Sequence, residues 1–395
     1  MSRVLVGLSV GSGLEGADGA AVRGPGVGLA LTPAVAKAVR VLFPPAARDQ
    51  FRPGATPTPD LVRNVADTLV HAARTVVVQA GASGRDVFAA GLLTPARAGE
   101  ALVPWAEVAD RVAEQTGFTV VHGFRARDRA AGGTGQPITP AADYLLFRSD
   151  AEDRVLVHLG AATQVVFVPA AGKLGGVVAF EAGPGNELLD AMVFHGTRGR
   201  DPTDPGGKKA VQGCCLDPLL ARWLDHPHLT RRPPKAVHPD AFGRSFQLAA
   251  FDAARQLGAG LPDLLCTATH LAARSVASAC RDWLPPAAGP RRVVLSGGGV
   301  RNGFLWQRLV HEFAGTPVVR TDEVGVPPLA RSAAAAAVLA ALTCDGVPGN
   351  LAVWTGAAGG RLIGQFAPGD GRNWARLTAW AAEQAADTPR AARAA

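Results

Sequence analysis

One carboxylate in this sequence stands among cations and glycines. It is Asp128, within His122-Gly-Phe-Arg-Ala-Arg-Asp-Arg-Ala-Ala-Gly-Gly-Thr-Gly-Gln-Pro137. Arg125, Arg127 and Arg129 flank it at i−3, i−1 and i+1, and such neighbours keep a carboxylate ionised or hold anionic oxygens. Gly132, Gly133 and Gly135 follow, and glycine lets backbone N–H groups approach a ligand closely. An ionised carboxylate beside cations and open backbone suits phosphoryl transfer or attack by an activated water. A salt-bridged surface turn is the plainer reading of the same residues.

Three other glycine-rich stretches could face phosphate. The loop Gly11-Ser-Gly-Leu-Glu-Gly-Ala-Asp18 follows a β-like run over 3–10 and offers backbone donors at a hairpin tip. It is not a Walker loop, since no Gly-Lys-Ser/Thr follows. Glu15 and Asp18 within it could bind a metal through water. The strand Val177-Val-Ala-Phe180 leads into Gly183-Pro-Gly-Asn186, where a starting helix would offer an anion site. The run Arg291-Arg-Val-Val-Leu-Ser-Gly-Gly-Gly-Val-Arg-Asn302 reads as strand, triple glycine and helix, which suits a nucleotide lying on the backbone.

The positioning elements can be read between these stretches. The pattern predicts a helix over 60–74, a strand over 75–78 and a loop over 81–86. A helix over 104–116 ends at Gly117, and a strand at 118–121 feeds Asp128. Strands at 155–160 and 164–168 repeat the opening layout of strand, small-residue turn, strand. That symmetry predicts two related halves. Helices follow at 241–258 and 262–283, and an alanine-rich helix at 330–342 looks like packing. A tail after Asp387 is expected to fray.

Composition narrows the class. A chain of 395 residues suits two domains, and 48% hydrophobic with 18% charged residues allows a large core. The net charge of +7 is scattered and mostly arginine, with no long basic run, so nucleic acid is not an expected partner. Five cysteines without a CxxC read as reduced thiols in the cytoplasm, with no zinc site. The N-terminus runs straight into a strand, and the apolar stretch Ala333 to Leu342 is too short to span a bilayer, so no membrane is expected.

Taken in order, these motifs resemble the anhydro-N-acetylmuramic acid kinase family over about residues 4 to 369. Gly11 to Asp18 looks like its Gly-Thr-Ser-x-Asp-Gly-x-Asp phosphate loop. Phe124-Arg-Ala-Arg-Asp128 with Ala131-Gly-Gly-Thr-Gly-Gln-Pro137 resembles its Phe-Arg-x-x-Asp and Gly-Gly-x-Gly-x-Pro. Gly183-Pro-Gly-Asn186 with Asp190, Pro233-Pro-Lys235, Ser296-Gly-Gly-Gly-Val-Arg-Asn302, and Asn350 with Thr355-Gly-Ala357 match later motifs.

The resemblance implies an α/β chain of two actin-like (ribonuclease-H-like) domains around a central ATP and substrate cleft that closes over the sugar. The first domain would be 1–140 completed by 355–395, and the second 141–354. It implies a reaction in which water attacks the anomeric carbon of a 1,6-anhydro sugar while the freed oxygen takes the γ-phosphoryl group of ATP. Asp128 would be the base. Gly11, Ser12, Gly13, Glu15, Gly16, Asp18, Gly297, Gly298, Gly299 and Asn302 would hold nucleotide and phosphate, and Arg125, Gly183, Gly185 and Asn186 the substrate. Mg²⁺ would be carried by phosphates and water near Glu15 rather than by a protein ligand set. The implied partners are ATP and an amino sugar, with a homodimer open as an alternative to a monomer.

Several motif positions differ from the family pattern. The phosphate loop has Ser12, Gly13 and Glu15 for Thr, Ser and Asp, and Ser83-Gly84-Arg85 stands for a His-Gly-Gln that contacts substrate. His158 to Gln164 replaces Asn-x-Gly-Gly-Ile-Ala-Asn, Glu181-Ala182 replaces Asp-Thr, and Ser332 replaces an acid. Two alternatives therefore stay open: a kinase for a different (anhydro)sugar, and a catalytically weak sugar or nucleotide sensor.

Overall fold

The computed structural model describes residues 2–48, 50–51, 58–96, 103–286 and 291–387. The chain forms two compact units, Met1–Leu146 with Gly325–Ala395, and Phe147–Val324. In the first, β1 (Arg3–Val10), β2 (Gly16–Gly24) and β3 (Ala34–Leu42) form an antiparallel meander. Strands β4 (Val87–Leu93) and β5 (Val120–His122) then join β1 in parallel. The second unit repeats the plan. Strands β6 (Asp153–Leu159), β7 (Ala162–Val168) and β8 (Val178–Pro184) form the meander, and β9 (Arg291–Ser296) and β10 (Val318–Arg320) add parallel strands beside β6.

Written across each sheet, the orders are β3-β2-β1-β4-β5, extended by β11 (Gln365–Ala367), and β8-β7-β6-β9-β10. The two related halves expected from the internal symmetry are present. Parallel strands of this kind are covered on both faces, and β4 is accordingly buried along its whole length, as is the antiparallel β7 inside the second sheet.

The helix Pro59–Gln79 is begun by Thr58, whose hydroxyl accepts from the Leu61 N–H at 3.1 Å, with Pro59 in the first turn. It runs on through Thr75-Val-Val-Val78, where a strand was expected. Val76 and Val77 extend the buried stripe of Val65, Leu69, Ala72 and Ala73, and burial against the sheet overrides their β preference. The helix Trp105–Thr116 ends at Gly117 in the left-handed region (φ 73°), as its sequence predicts.

The helix Arg331–Cys344 lies directly on the first sheet. A Cβ on Gly7 would sit 1.7 Å from the Ala333 carbonyl oxygen, and one on Gly91 2.0 Å from that of Ala336. Only glycine lets helix and strand backbones touch in this way. Its first residue, Arg331, is buried and ion-paired with Asp143, its Nε 2.8 Å from Oδ1. This packing brings the chain back to the first unit at 325, ahead of the expected 355, and the first stretch of that unit extends to 146 instead of 140. Among the described residues no helix is long and apolar enough to cross a membrane. The tail after Asp387 lies outside the described residues.

Candidate active site

In the first unit, β1, β4 and β5 run parallel and end on one edge of the sheet. That edge gathers the loop after Val10, Thr94 after β4, and the helix Phe124–Ala130 after β5. The carboxyl edge of such a sheet is where ligands bind in open α/β folds. Asp128 sits on that helix and is fully buried. Its Oδ1 accepts from Thr355 Oγ1 at 2.7 Å and from the Asn350 amide, and its Oδ2 from the Gly135 N–H at 2.7 Å. The expected setting of arginines is corrected here, because the donors are a hydroxyl, an amide and a backbone N–H. Helical geometry explains why: i±1 neighbours project away from Asp128, and Arg127 and Arg129 are exposed. The buried Arg125 gives Nη1 to the Thr94 carbonyl at 3.0 Å.

Gly133 and Gly135 serve this cluster directly. A Cβ on Gly133 would lie 2.3 Å from Asp128 Oδ2, and Gly135 has φ 75°. A side chain at Gly133 would displace the acid, while at Gly135 it would be strained and would meet Arg129 Nε at 2.9 Å. Asn350 and Thr355 come from the far end of the sequence. They belong to a motif matched above, but nothing local to Asp128 announces them.

The loop Gly11–Glu15 is closed by a Leu14 N–H bond to the Gly11 carbonyl at 3.0 Å. Among the described residues, the N–H groups of Ser12 and Gly13 have no acceptor, and both residues are exposed. Gly16 and Asp18 already lie inside β2, where a Cβ on Gly16 would meet the Val41 carbonyl oxygen at 2.3 Å. Gly16 is therefore a packing glycine. Glu15 Oε2 is bound by Arg40 Nη2 at 2.7 Å, and the same guanidinium lies 3.9 Å from Asp18. Arg40, on β3 opposite Asp18, is a partner of this loop that the sequence reading missed.

In the second unit, β8, β6 and β9 likewise end together. They bring the Gly183–Asn186 turn, the turn after Leu159 and the triple glycine into contact. Asn186 joins all three: its Nδ2 donates to the Leu159 carbonyl at 3.0 Å, and its Oδ1 lies 3.0 Å from where a Gly299 Cβ would be. His158 Nδ1 is 3.0 Å from Ser296 Oγ at the end of the paired strands.

The helix Asn186–Gly196 does not offer the open N-terminus its sequence suggests. The N–H groups of Gly185 and Asn186 donate to the carbonyls of Ala161 at 3.0 Å and Gly160 at 2.8 Å. At the triple glycine the N–H groups of Gly298 and Gly299 have no acceptor among the described residues, and Gly298 is exposed. Asn302 caps the next helix, its Oδ1 accepting from the Leu305 N–H at 3.0 Å, so that oxygen is already occupied.

Ser83-Gly84-Arg85 lies in the turn before β4, at the opposite end of that strand from Thr94. There Ser83 N–H and Oγ both bind Asp86 at 2.8 Å, and the residues line a cleft of about 740 Å³ with Arg372 and Arg376. Reading Ser83-Gly84-Arg85 as the replacement of the family's His-Gly-Gln is therefore corrected. The residues that end β4 on the candidate edge are Leu93 and Thr94.

Comparison with known proteins agrees with the motif order. The family model for anhydro-N-acetylmuramic acid kinase matches residues 100–369. The anhydro-N-acetylmuramic acid kinase of Gloeobacter violaceus is 41% identical over 261 residues, 65% of this chain and 66% of that one. That of Cupriavidus metallidurans is 33% identical over 382 residues, 93% of this chain and 98% of that one. Among solved structures, the activator of 2-hydroxyisocaproyl-CoA dehydratase from Clostridium difficile with bound ADPNP matches with 12% identity and a TM-score of 0.41, over 86% of this chain and 94% of that chain. On the family model and the near-full-length match, the chain belongs to the anhydro-N-acetylmuramic acid kinase family.

Proposed function

We propose that the protein is an ATP-dependent sugar kinase that opens 1,6-anhydro-N-acetylmuramic acid with water and phosphorylates it, a cytoplasmic step in peptidoglycan recycling. Water forms the new bond to the anomeric carbon as the bond from that carbon to oxygen 6 breaks. Oxygen 6 takes the γ-phosphoryl group, giving N-acetylmuramic acid 6-phosphate and ADP. The observation that carries this reading is the match to the Cupriavidus metallidurans kinase over 93% of this chain.

The free N–H groups at Ser12 and Gly13, and at Gly298 and Gly299, fit phosphate oxygens. Among the described residues no group of three or more His, Cys, Asp or Glu could hold a metal ion. A magnesium ion would be carried by the phosphates and supply neutralisation of their charge, and Glu15 would reach its water only by leaving Arg40. Asp128 serves as an organiser of the edge in this reading, tying Gly135, Asn350 and Thr355 into one unit. To accept the water's proton, its carboxylate would use the remaining acceptor site of Oδ2, which takes one donor where Oδ1 takes two, and water would have to reach a group that is fully buried.

The test is incubation of the pure protein with ATP, Mg²⁺ and the anhydro-sugar, followed by mass spectrometry. Expected is a phosphosugar heavier than substrate by one phosphoryl group and one water. A folded, ADP-binding protein that makes none would refute the reaction, and ADP release with another sugar would name a different substrate.

A further inference from the structure

The Pro233-Pro-Lys235 motif plays no part in the reaction as set out above, yet it holds a buried cation. Lys235 is 1% exposed, and its Nζ lies 5.7 Å from the centre of the Phe180 ring. It forms no ion pair with a carboxylate among the described residues. It donates instead to two carbonyl oxygens, of His228 at 3.2 Å and Leu229 at 3.0 Å. Burial, with Arg231 adding to it, lowers Lys235 to about 8, and Asp282 opposes weakly. His228, lowered to about 4 by burial and by Lys235, stays neutral beside it. An isolated buried ammonium is costly, so its retention calls for a physical reason.

The reason is found on the outer edge of β8. That strand pairs with β7 on one side only. On the other side the segment 228–237 lies along it as a strap. The His228 ring bonds the Glu181 carbonyl through Nε2 at 3.0 Å, the Glu181 N–H donates to the Lys235 carbonyl at 3.0 Å, and the Val237 N–H donates to Glu181 Oε2 at 2.7 Å. Leu229 closes against the turn itself, its Cδ2 3.0 Å from where a Cβ on Gly183 would be. The turn continues through Gly185 and Asn186 to Gly160, Leu159 and Gly299. A connected series of hydrogen bonds and packing contacts thus runs from Lys235 to the triple glycine, within one unit.

We propose that Lys235 is a positioning residue. By tying the backbone of His228 and Leu229 to the strap, it fixes the Gly183–Asn186 turn against the triple glycine for phosphoryl transfer. The kinetic half of this inference rests on the proposed kinase reaction, and the structural half does not.

The test compares Lys235→Met, which keeps the stem over Phe180 but removes the donors, with Lys235→Arg, which keeps donors and charge. In Lys235→Met, amide exchange at Gly185, Asn186 and Glu187 should quicken by about tenfold while exchange in the first unit is unchanged. With the anhydro-sugar, kcat should fall by about a hundredfold, as a misplacement of about 1 Å does, with the KM for ATP nearly unchanged. Lys235→Arg should restore most of both. Exchange at the turn that matches wild type in Lys235→Met would overturn the inference whatever the kinetics. So would an equal loss of kcat in both variants with the turn intact. Should Lys235→Met fail to fold, Lys235→Arg with slowed turnover and a loosened turn would also overturn it. A wild-type protein that turns over no anhydro-sugar would sink the reaction alone, leaving amide exchange to decide the positioning.

Discussion

Two glycine turns of the second unit look alike in sequence and differ in what they offer. Gly183-Pro-Gly-Asn186 and Gly297-Gly-Gly299 each end a strand and precede a helical turn. In the first, a Cβ on Gly183 would meet Ser275 Oγ at 2.7 Å and one on Gly185 the Gly160 carbonyl oxygen at 2.4 Å, while Gly185 and Asn186 give their N–H groups to neighbouring carbonyls. In the second, nothing approaches a Gly298 Cβ closer than 3.5 Å, and the N–H groups of Gly298 and Gly299 are open. Gly297 and Gly299 also pack closely, a Cβ on either falling 2.6 Å from Leu159, so the turns differ at Gly298 and in their backbone donors, which are used in one and open in the other. Glycine density in a sequence does not separate the two; the occupancy of the backbone donors does.

The distinction between occupied and open groups can be broken at several points. The largest expected effect is at Asp128, the most fully occupied group. Asp128→Asn turns an acceptor into a donor against the Gly135 N–H, Asn350 or Thr355. The loss should reach about 3 kcal/mol in urea unfolding. A loss under about 0.5 kcal/mol, as at ordinary surface sites, would return Asp128 to the role of an unencumbered base.

Gly185→Ala should cost about 2 kcal/mol, because the clash is with backbone that cannot swing aside. Gly298→Ala should change stability by less than about 0.5 kcal/mol yet weaken ADP binding about tenfold by calorimetry. Equal destabilisation by the two alanines would erase the contrast.

Arg40→Gln should sharpen the picture at the phosphate loop. The pair with Glu15 is half exposed, so stability should move by less than about 1 kcal/mol. Freeing Glu15 should lower the Mg²⁺ concentration for half-maximal turnover a few-fold, and an unchanged Mg²⁺ titration would remove Glu15 from the reaction.

The smallest effect is in pH dependence. Lys235 titrates at about 8 in the folded protein against an ordinary 10.5. Between those values the unfolded chain binds more protons, so the lysine's contribution rises with pH and is lost as pH falls through about 8. Cys280 and Cys344, pushed up to about 12 by burial, act in the opposite sense but are common to both proteins in a comparison with Lys235→Met. The wild type should therefore gain on Lys235→Met between about pH 8 and about pH 10.5. A gap that shrinks would show that burial does not lower this lysine.

Much of this arrangement is legible in the sequence because it is local. Apolar runs bounded by turn residues give β1, the hairpin to β2 and the strand before the triple glycine. Gly117 marks its helix end through its own backbone angle. What stays hidden is decided by distant partners. Thr75 to Val78 has strand composition and is helical because the stripe before it is buried. Asp128 is flanked by arginines in sequence and is held by Asn350 and Thr355, more than two hundred residues away. Ser83 to Arg85 stands where a His-Gly-Gln is expected in the sequence, and only the direction of β4 reveals that it sits at the wrong end.

The bare backbones of Gly7 and Gly91 beneath Ala333 and Ala336 bear on the order of assembly. The first unit is built from both ends of the chain, whereas Phe147–Val324 is uninterrupted. A chain emerging from the ribosome, where domains fold as units, can complete the later-coded unit while the earlier sheet still waits for its covering helix. Until that helix is synthesised, the strips of β1 and β4 around the two glycines are sticky surface, and a chain truncated before 331 should be captured by chaperones or aggregate.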